Sequence, residues 1–469
     1  MAATQKQPVE LFANVHLEHK VLLPRDEGYK QRQDSFWSRY ARNEPACIVR
    51  PTSAAEVATI VKILKAAGQQ FAVRSGGHTQ WEGANNIQDG VTIDLQFLNE
   101  IKLDETTETV DIGPGARWKE VYDELKKTGR VVAGGRNGKV GVGGLLLGGG
   151  KTFFTGRRGF ACDDVVSYEV VLADGRIIVA DKDNNNNDLF MALKGGSGNF
   201  GIVTNFRMSC FHCDNIWGGL RVLAKEHEGS ALQLLQEFTA EVREDVDSML
   251  LLFLAYSALI QVAAQEDAIA YRKLRALPAM VDLCKPTTID AIVSEYDPAP
   301  SGYYNCFFTA TIKNDVRIFQ KAAELHDQLV EDLKNFIADG DFTTECLFQP
   351  LPTVLGQKSK EFGGNVMGVT DLQHDGVIFT AIAIVKTKDQ EAFAYPKLKA
   401  WGNAVCDYAR TIENGLLDWI YMNYADKSQN PLASYGPENV KKLKDAAAKY
   451  DPEQVFQKLC PGGFKISKA

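Results

Sequence analysis

The sequence predicts an α+β fold made of two unlike units, and three observations predict it. Residues 45–210 alternate short helical and strand patterns and hold tight glycine clusters. From about residue 213 glycine thins out, and long amphipathic helices alternate with separate strands. After about residue 414 a last helix and a Tyr450-Asp451-Pro452 stop close the chain. The boundaries read this way are 1–212, 213–414 and 415–469. Of the 469 residues 45% are hydrophobic and 24% charged. That excludes disorder as the main state, because enough apolar surface exists for a large core.

Each element has a local reason. Ser53 and Glu56 have capping-box spacing, Val57, Ile60, Val61 and Leu64 share one face, and Gly68 is placed to end that helix. Phe71 to Val73 is a short strand running into Arg74-Ser75-Gly76-Gly77-His78-Thr79. Val91, Ile93 and Leu95 alternate as a strand, and a helix follows over Trp118–Lys127. Val165–Leu172 and Ile177–Val179 flank an Asp174-Gly175 turn. A helix over Leu189–Lys194 leads to Gly195–Gly201, and a strand runs over Ile202–Met208. In the second unit helices are predicted near Gly229–Val242, Glu266–Leu277 and Val316–Ile337, and strands at Met249–Leu254 and Val377–Val385. The tail helix spans Glu438–Lys449.

Charge and cysteine usage narrow the function. A net charge of −8 argues against nucleic-acid binding, which needs a basic face. No apolar run reaches the roughly 18 residues of a membrane span, and residues 1–10 lack the apolar core of a secretory signal. Nine scattered cysteines suit reduced thiols inside a cell, so a cytoplasmic protein is expected. The terminal Ser467-Lys468-Ala469 resembles a peroxisomal Ser-Lys-Leu signal but lacks its leucine. Cys210 and Cys213 have no second pair to complete a zinc site, so no metal centre is expected.

The glycine clusters carry the chemistry. Gly196-Ser197-Gly198-Asn199-Phe200-Gly201 has the dinucleotide spelling G-x-G-x-x-G. Here a helix precedes it and a strand follows, the reverse of the order that aims a helix N-terminus at a pyrophosphate. Gly150-Lys151-Thr152 resembles the end of a P-loop, but its opening glycine is displaced by Leu145. Clustered glycines at 74–78 and 141–150 instead suit main-chain nests that grip one large anionic cofactor.

Five motifs, in order along nearly the whole chain, resemble those of the berberine-bridge-enzyme-like oxidases of the vanillyl-alcohol-oxidase/p-cresol-methylhydroxylase superfamily. They are Arg74-Ser75-Gly76-Gly77-His78, the run Val140–Gly150, Gly198-Asn199-Phe200-Gly201-Ile202-Val203-Thr204, Tyr421-Met422-Asn423-Tyr424-Ala425-Asp426, and Tyr450-Asp451-Pro452-Glu453-Gln454-Val455-Phe456. The resemblance implies a two-part FAD-binding domain of the p-cresol methylhydroxylase type, with an antiparallel-sheet substrate domain inserted between its parts. It implies FAD bonded covalently through His78 and held at its pyrophosphate by Arg74, Ser75, Gly76 and Gly77, with Thr79 beside them. Val140, Gly141, Gly143, Gly144 and Gly148 would pass beneath the cofactor. Asn199, Ile202 and Val203 would line its adenosine end, and Asn423 would meet the ribityl chain or ring.

Two departures stand out. Asn137 occupies the position of a cysteine that makes a second flavin link in many members, so a single covalent bond is expected. Leu145 replaces a histidine near the ring. Val140 stands where valine is associated with oxygen access and leucine with its blockage. Tyr421 is the expected general base, and Thr380 and Ile382 leave its partner unassigned. The resemblance thus implies an FAD-dependent oxidase that moves hydride from a small alcohol or amine metabolite to flavin and returns electrons to O₂ as H₂O₂. Tailoring in secondary metabolism is the expected setting. The alternatives are a non-redox cyclase or isomerase holding flavin structurally, an oligosaccharide oxidase, and a phosphate-hydrolysing enzyme using Lys151. The substrate and O₂ are the expected partners, and the oligomeric state is left open.

Overall fold

The structure is a computed structural model and describes residues 8–12, 15–295 and 301–469. A four-stranded sheet runs in the order Val21–Leu22, Cys47–Val49, Val91–Asp94, Phe71–Arg74, the last three parallel. Helix Ala54–Ala67 packs on it, with the Ser53 hydroxyl accepting from Glu56 N at 3.2 Å and Gly68 at φ +61°. A five-stranded antiparallel sheet has the order Ile101–Asp104, Thr109–Ile112, Ile202–Ser209, Val165–Val171, Ile177–Asp181.

The second unit is one nine-stranded antiparallel sheet, centred on Ser248–Phe253, Phe342–Leu351, Gly376–Val385 and Tyr304–Lys313. Its two faces follow the period of two. Phe308, Phe348, Phe379 and Ala381 face helices Val316–Phe336 and Lys388–Arg410, in a core with Leu333, Leu398 and Trp401. Phe307, Leu347, Ile382 and Ile384 face the other way, into a cavity. Leu416–Leu417 pairs with Tyr304–Lys313, so the sheet takes in residues just beyond the 414 boundary read from sequence.

The tail returns to the first unit. The Tyr450 hydroxyl donates to Asp188 at 2.6 Å, the Tyr435 hydroxyl to Gly195 O at 3.1 Å, and Phe71 N to Leu459 O at 2.7 Å. Two elements depart from the sequence reading. The helix expected over 266–277 is only a turn at Ile269–Tyr271 and a short helix Arg272–Ala276. There Tyr271 is buried and its hydroxyl contacts Ile260 O at 2.6 Å and Met249 O at 2.8 Å, which ties this stretch to the sheet. The 23-residue helix Lys388–Arg410, not anticipated, runs through Pro396.

Candidate functional site

A cavity of about 410 Å³ lies where the first unit, the sheet face and the tail meet. Its first wall is main chain. The loops at Gly76 and Gly141 lie back to back: a methyl on Gly76 would stand 2.5 Å from Gly141 N, and one on Gly141 2.4 Å from Gly76 N. Only glycine allows that approach. The Arg117 guanidinium clamps the pair, donating to Gly76 O at 3.0 Å and to Lys139 O. Gly144 and Gly198 line the cavity with nothing within 4 Å of where a Cβ would stand. Ser75, Gly77, Thr79, Val140, Gly143, Gly148, Ile202 and Val203 share this wall, as do Asn137 and Leu145. Ser75 Oγ donates to Pro114 O at 2.6 Å.

His78 reaches the same cavity, and its ring is stacked on Trp37 with centroids 4.4 Å apart and planes 10° from parallel. Stacking on an indole restricts the imidazole to one plane. Asn423 braces the glycine run from the tail, donating to Leu145 O at 3.3 Å and accepting from Gly150 N at 3.4 Å.

Two expected cofactor residues point elsewhere. The Arg74 guanidinium is fully buried beneath the loop. It donates to Arg32 O and Ser35 Oγ, both at 2.7 Å, and sits 3.6 Å over the Phe36 ring. Burial draws it down to about 9. Arg74 therefore supports Gly77, at φ +69°, rather than offering its charge to a pyrophosphate. Asn199 is likewise fully buried, tying Gly196 O at 2.8 Å to Phe464 O at 3.0 Å and accepting from Gln457 at 3.0 Å. It staples the tail to the Gly195–Gly201 loop instead of lining the cavity.

The opposite wall carries side chains. Tyr421 is buried, and its hydroxyl accepts from Lys151 N at 2.6 Å. Burial raises its phenol well above the ordinary tyrosine value, with the Tyr424 phenol adding in the same direction. That burial favours the neutral phenol, while Arg136 and the Lys151 N–H act in the opposite direction, and Tyr421 lines the cavity. Tyr424 lines the cavity beside it, is half-buried, and accepts from Arg136 Nη2 at 3.1 Å. The same nitrogen donates to Gln349 at 2.8 Å. Lys151 Nζ donates to Pro350 O at 2.6 Å, and burial, with Arg136 nearby, pushes it well below an ordinary lysine. So held, it is not a phosphate-binding P-loop lysine. Thr380 is buried in the sheet, whereas Ile382 lines the cavity. Glu345 also lines it, 3.2 Å from the Tyr256 hydroxyl, and burial raises its carboxyl to about 7.

Residues 45–181 match the family model of an FAD binding domain. The chain is 38% identical over 463 residues to the FAD-dependent monooxygenase drtC of Aspergillus calidoustus, covering 96% of this chain and 88% of that one. It is 31% identical over 454 residues to the bifunctional solanapyrone synthase of Alternaria solani, covering 95% and 86%. The chain belongs to the berberine-bridge-enzyme-like FAD-linked oxidoreductases. The fold agrees. 6-Hydroxy-D-nicotine oxidase from Arthrobacter nicotinovorans superposes with a TM-score of 0.76 at 24% identity, covering 93% of this chain and 96% of that one. Glucooligosaccharide oxidase from Acremonium strictum gives 0.77 at 20%, covering 96% of each. The protein is an FAD-dependent oxidoreductase of this family, with the mixed helix-and-sheet fold of its p-cresol-methylhydroxylase-type members.

The residues present fit FAD. Gly144 and Gly198 leave a cradle that any Cβ would narrow, Thr79 brings a hydroxyl-bearing side chain to it, and His78 brings an imidazole. For a member of this family the sequence reading missed Tyr424, Arg136 and Glu345. The Y-x-N-Y motif names both tyrosines, and only the fold shows which hydroxyl meets a guanidinium. Among the described residues no helix is long and apolar enough to cross a membrane.

Proposed function

We propose that the protein is an oxidase joined to FAD by a single bond at His78, and that it oxidises a small, largely apolar alcohol or amine of secondary metabolism and reduces O₂ to H₂O₂. The observation that carries this is one cavity bounded by glycine loops on one side and by an apolar sheet face with the Tyr424–Arg136 pair on the other. FAD would supply the hydride acceptor. Tyr424 would take the proton from the substrate O–H or N–H, with Arg136 donating to its oxygen and fixing its position. Lys151 main chain would keep Tyr421 fixed behind it. Substrate and O₂ are the proposed partners.

The apolar wall of Leu251, Phe253, Leu347, Ile382 and Ile384 speaks against an oligosaccharide, whose hydroxyls would lose water without gaining partners. The name monooxygenase on several relatives raises a second fate for O₂, separable by isotope. Acid precipitation of the yellow protein should leave flavin in the pellet, and His78→Ala should release it to the supernatant. Yellow supernatant from the wild type would remove the covalent role of His78. With a substrate in hand, peroxide without label from ¹⁸O₂ in the product supports the oxidase, and label in the product overturns it. A flavin that substrate never bleaches without air would favour the non-redox reading.

A further inference from the structure

Glu345 has no part in the chemistry above. It stands on Phe342–Leu351, where Leu347 and Gln349 share its face by the period of two. Around it the wall is apolar, with Leu251, Phe253, Leu347 and Ile382. The Tyr256 hydroxyl donates to one carboxylate oxygen at 3.2 Å, and Tyr256 is itself stacked on Phe253 with centroids 4.2 Å apart. A carboxyl placed in such a wall costs free energy unless something in the cavity satisfies it. Its position sets a length. Gln349 accepts from Arg136, the guanidinium that also holds Tyr424, and lies four residues along the strand, roughly 13 Å at ~3.3 Å per residue. The two ends also differ in sign: the Arg136 guanidinium lies at the Gln349 end and the Glu345 carboxyl at the other.

We propose that Glu345 is a second polar subsite of the cavity, accepting a hydrogen bond from a hydroxyl or ammonium at the far end of an elongated apolar substrate whose reacting group sits at Tyr424 and Arg136. This deepens the function proposed above and rests on it. A cationic group would be steered away from Arg136 and towards Glu345, which fixes the direction of binding.

The test is equilibrium binding of three probes of one chain length to the holoenzyme, with its flavin chemically reduced so that nothing turns over. The probes are 1-decanol, 1,10-decanediol and 10-amino-1-decanol, and binding is read by calorimetry. At least one two-headed probe should bind about tenfold tighter than 1-decanol, the gain of one hydrogen bond to a charged group. Glu345→Leu should erase that gain. Glu345→Gln should keep it for the diol, since an amide oxygen still accepts, and lose it for the ammonium, which identifies the headgroup. Equal affinity of the wild type for all three probes, or a gain that survives Glu345→Leu, overturns the proposal. Should the leucine variant fail to fold, the proposal stands on Glu345→Gln with the ammonium probe and falls if its tenfold gain persists. A protein found without flavin would sink the oxidase reading, yet the same titration would still read the subsite.

Discussion

The loops at 74–79 and 140–148 present main chain to the cavity, whereas the strands facing them present side chains. On the loop side the shape depends on atoms that glycine lacks. On the sheet side it depends on which of two alternating faces each residue occupies. A substitution on the first wall should therefore act on loading of the cofactor, and one on the second on turnover and selectivity. The sharpest test of the first wall is Gly141→Ala. Its Cβ would meet Gly76 N at 2.4 Å, main chain on both sides, so the loops must part. We expect flavin content to fall to near zero, with a destabilisation of about 3 kcal/mol or more, measured by absorbance per protein and by denaturant unfolding. Normal flavin loading would show that the two loops are not one cradle.

The second wall should answer through rate. Tyr424→Phe should leave flavin content intact and lower kcat by about 10²–10⁴-fold, the range for a lost general base. Tyr421→Phe leaves Lys151 N without its 2.6 Å acceptor in a buried place, so it should cost about 1–3 kcal/mol of stability while kcat changes less than tenfold. The reverse pattern would make Tyr421 the base.

This contrast also explains what could be read in advance. Gly76, Gly141 and Gly144 spell out a wall in the sequence because a backbone surface needs glycine at fixed places. Ser53 and Gly68 marked a helix for the same reason, since caps are local chemistry. Arg74 and Asn199 lay inside the same motifs yet bind protein, because partners such as Phe36 and Gln457 come from elsewhere in the chain. Tyr424 and Glu345 were illegible as site residues. The contacts that single them out are with Arg136 and Tyr256, 288 and 89 residues away, and no local pattern encodes those meetings. Residues 266–277 carried a helical pattern that the Tyr271 hydroxyl overrides by docking on the sheet.

A milder change on the loop wall sharpens the comparison. Gly144 lies within helix Val142–Leu147, and nothing stands within 4 Å of its missing Cβ. Alanine there should stabilise the flavin-free chain by about 0.5–1 kcal/mol, because glycine is a poor helix former. The same methyl would protrude into the cradle and weaken flavin loading. Stability and loading should thus move in opposite directions, read by unfolding of flavin-free protein and by flavin content.

The smallest effect belongs to Glu345 and depends on pH. Its carboxyl is raised from an ordinary 4.5 to about 7 in the folded protein, first by burial, against the lowering effect of Tyr256. The folded chain therefore keeps a proton that the unfolded chain has already lost. Stability from this group is full below about pH 4.5, declines as pH rises through 7, and is level above. Glu345→Gln cannot titrate, so it should gain on the wild type between pH 5 and pH 8. Because Glu345 is partly open to the cavity, the gain should be modest, roughly 1–2 kcal/mol. Unfolding midpoints of both proteins at the two pH values measure it. A gap that does not widen with pH would mean that Tyr256 already satisfies Glu345 as a carboxylate, which would take from the sheet wall the pH dependence that sets it apart from the loops.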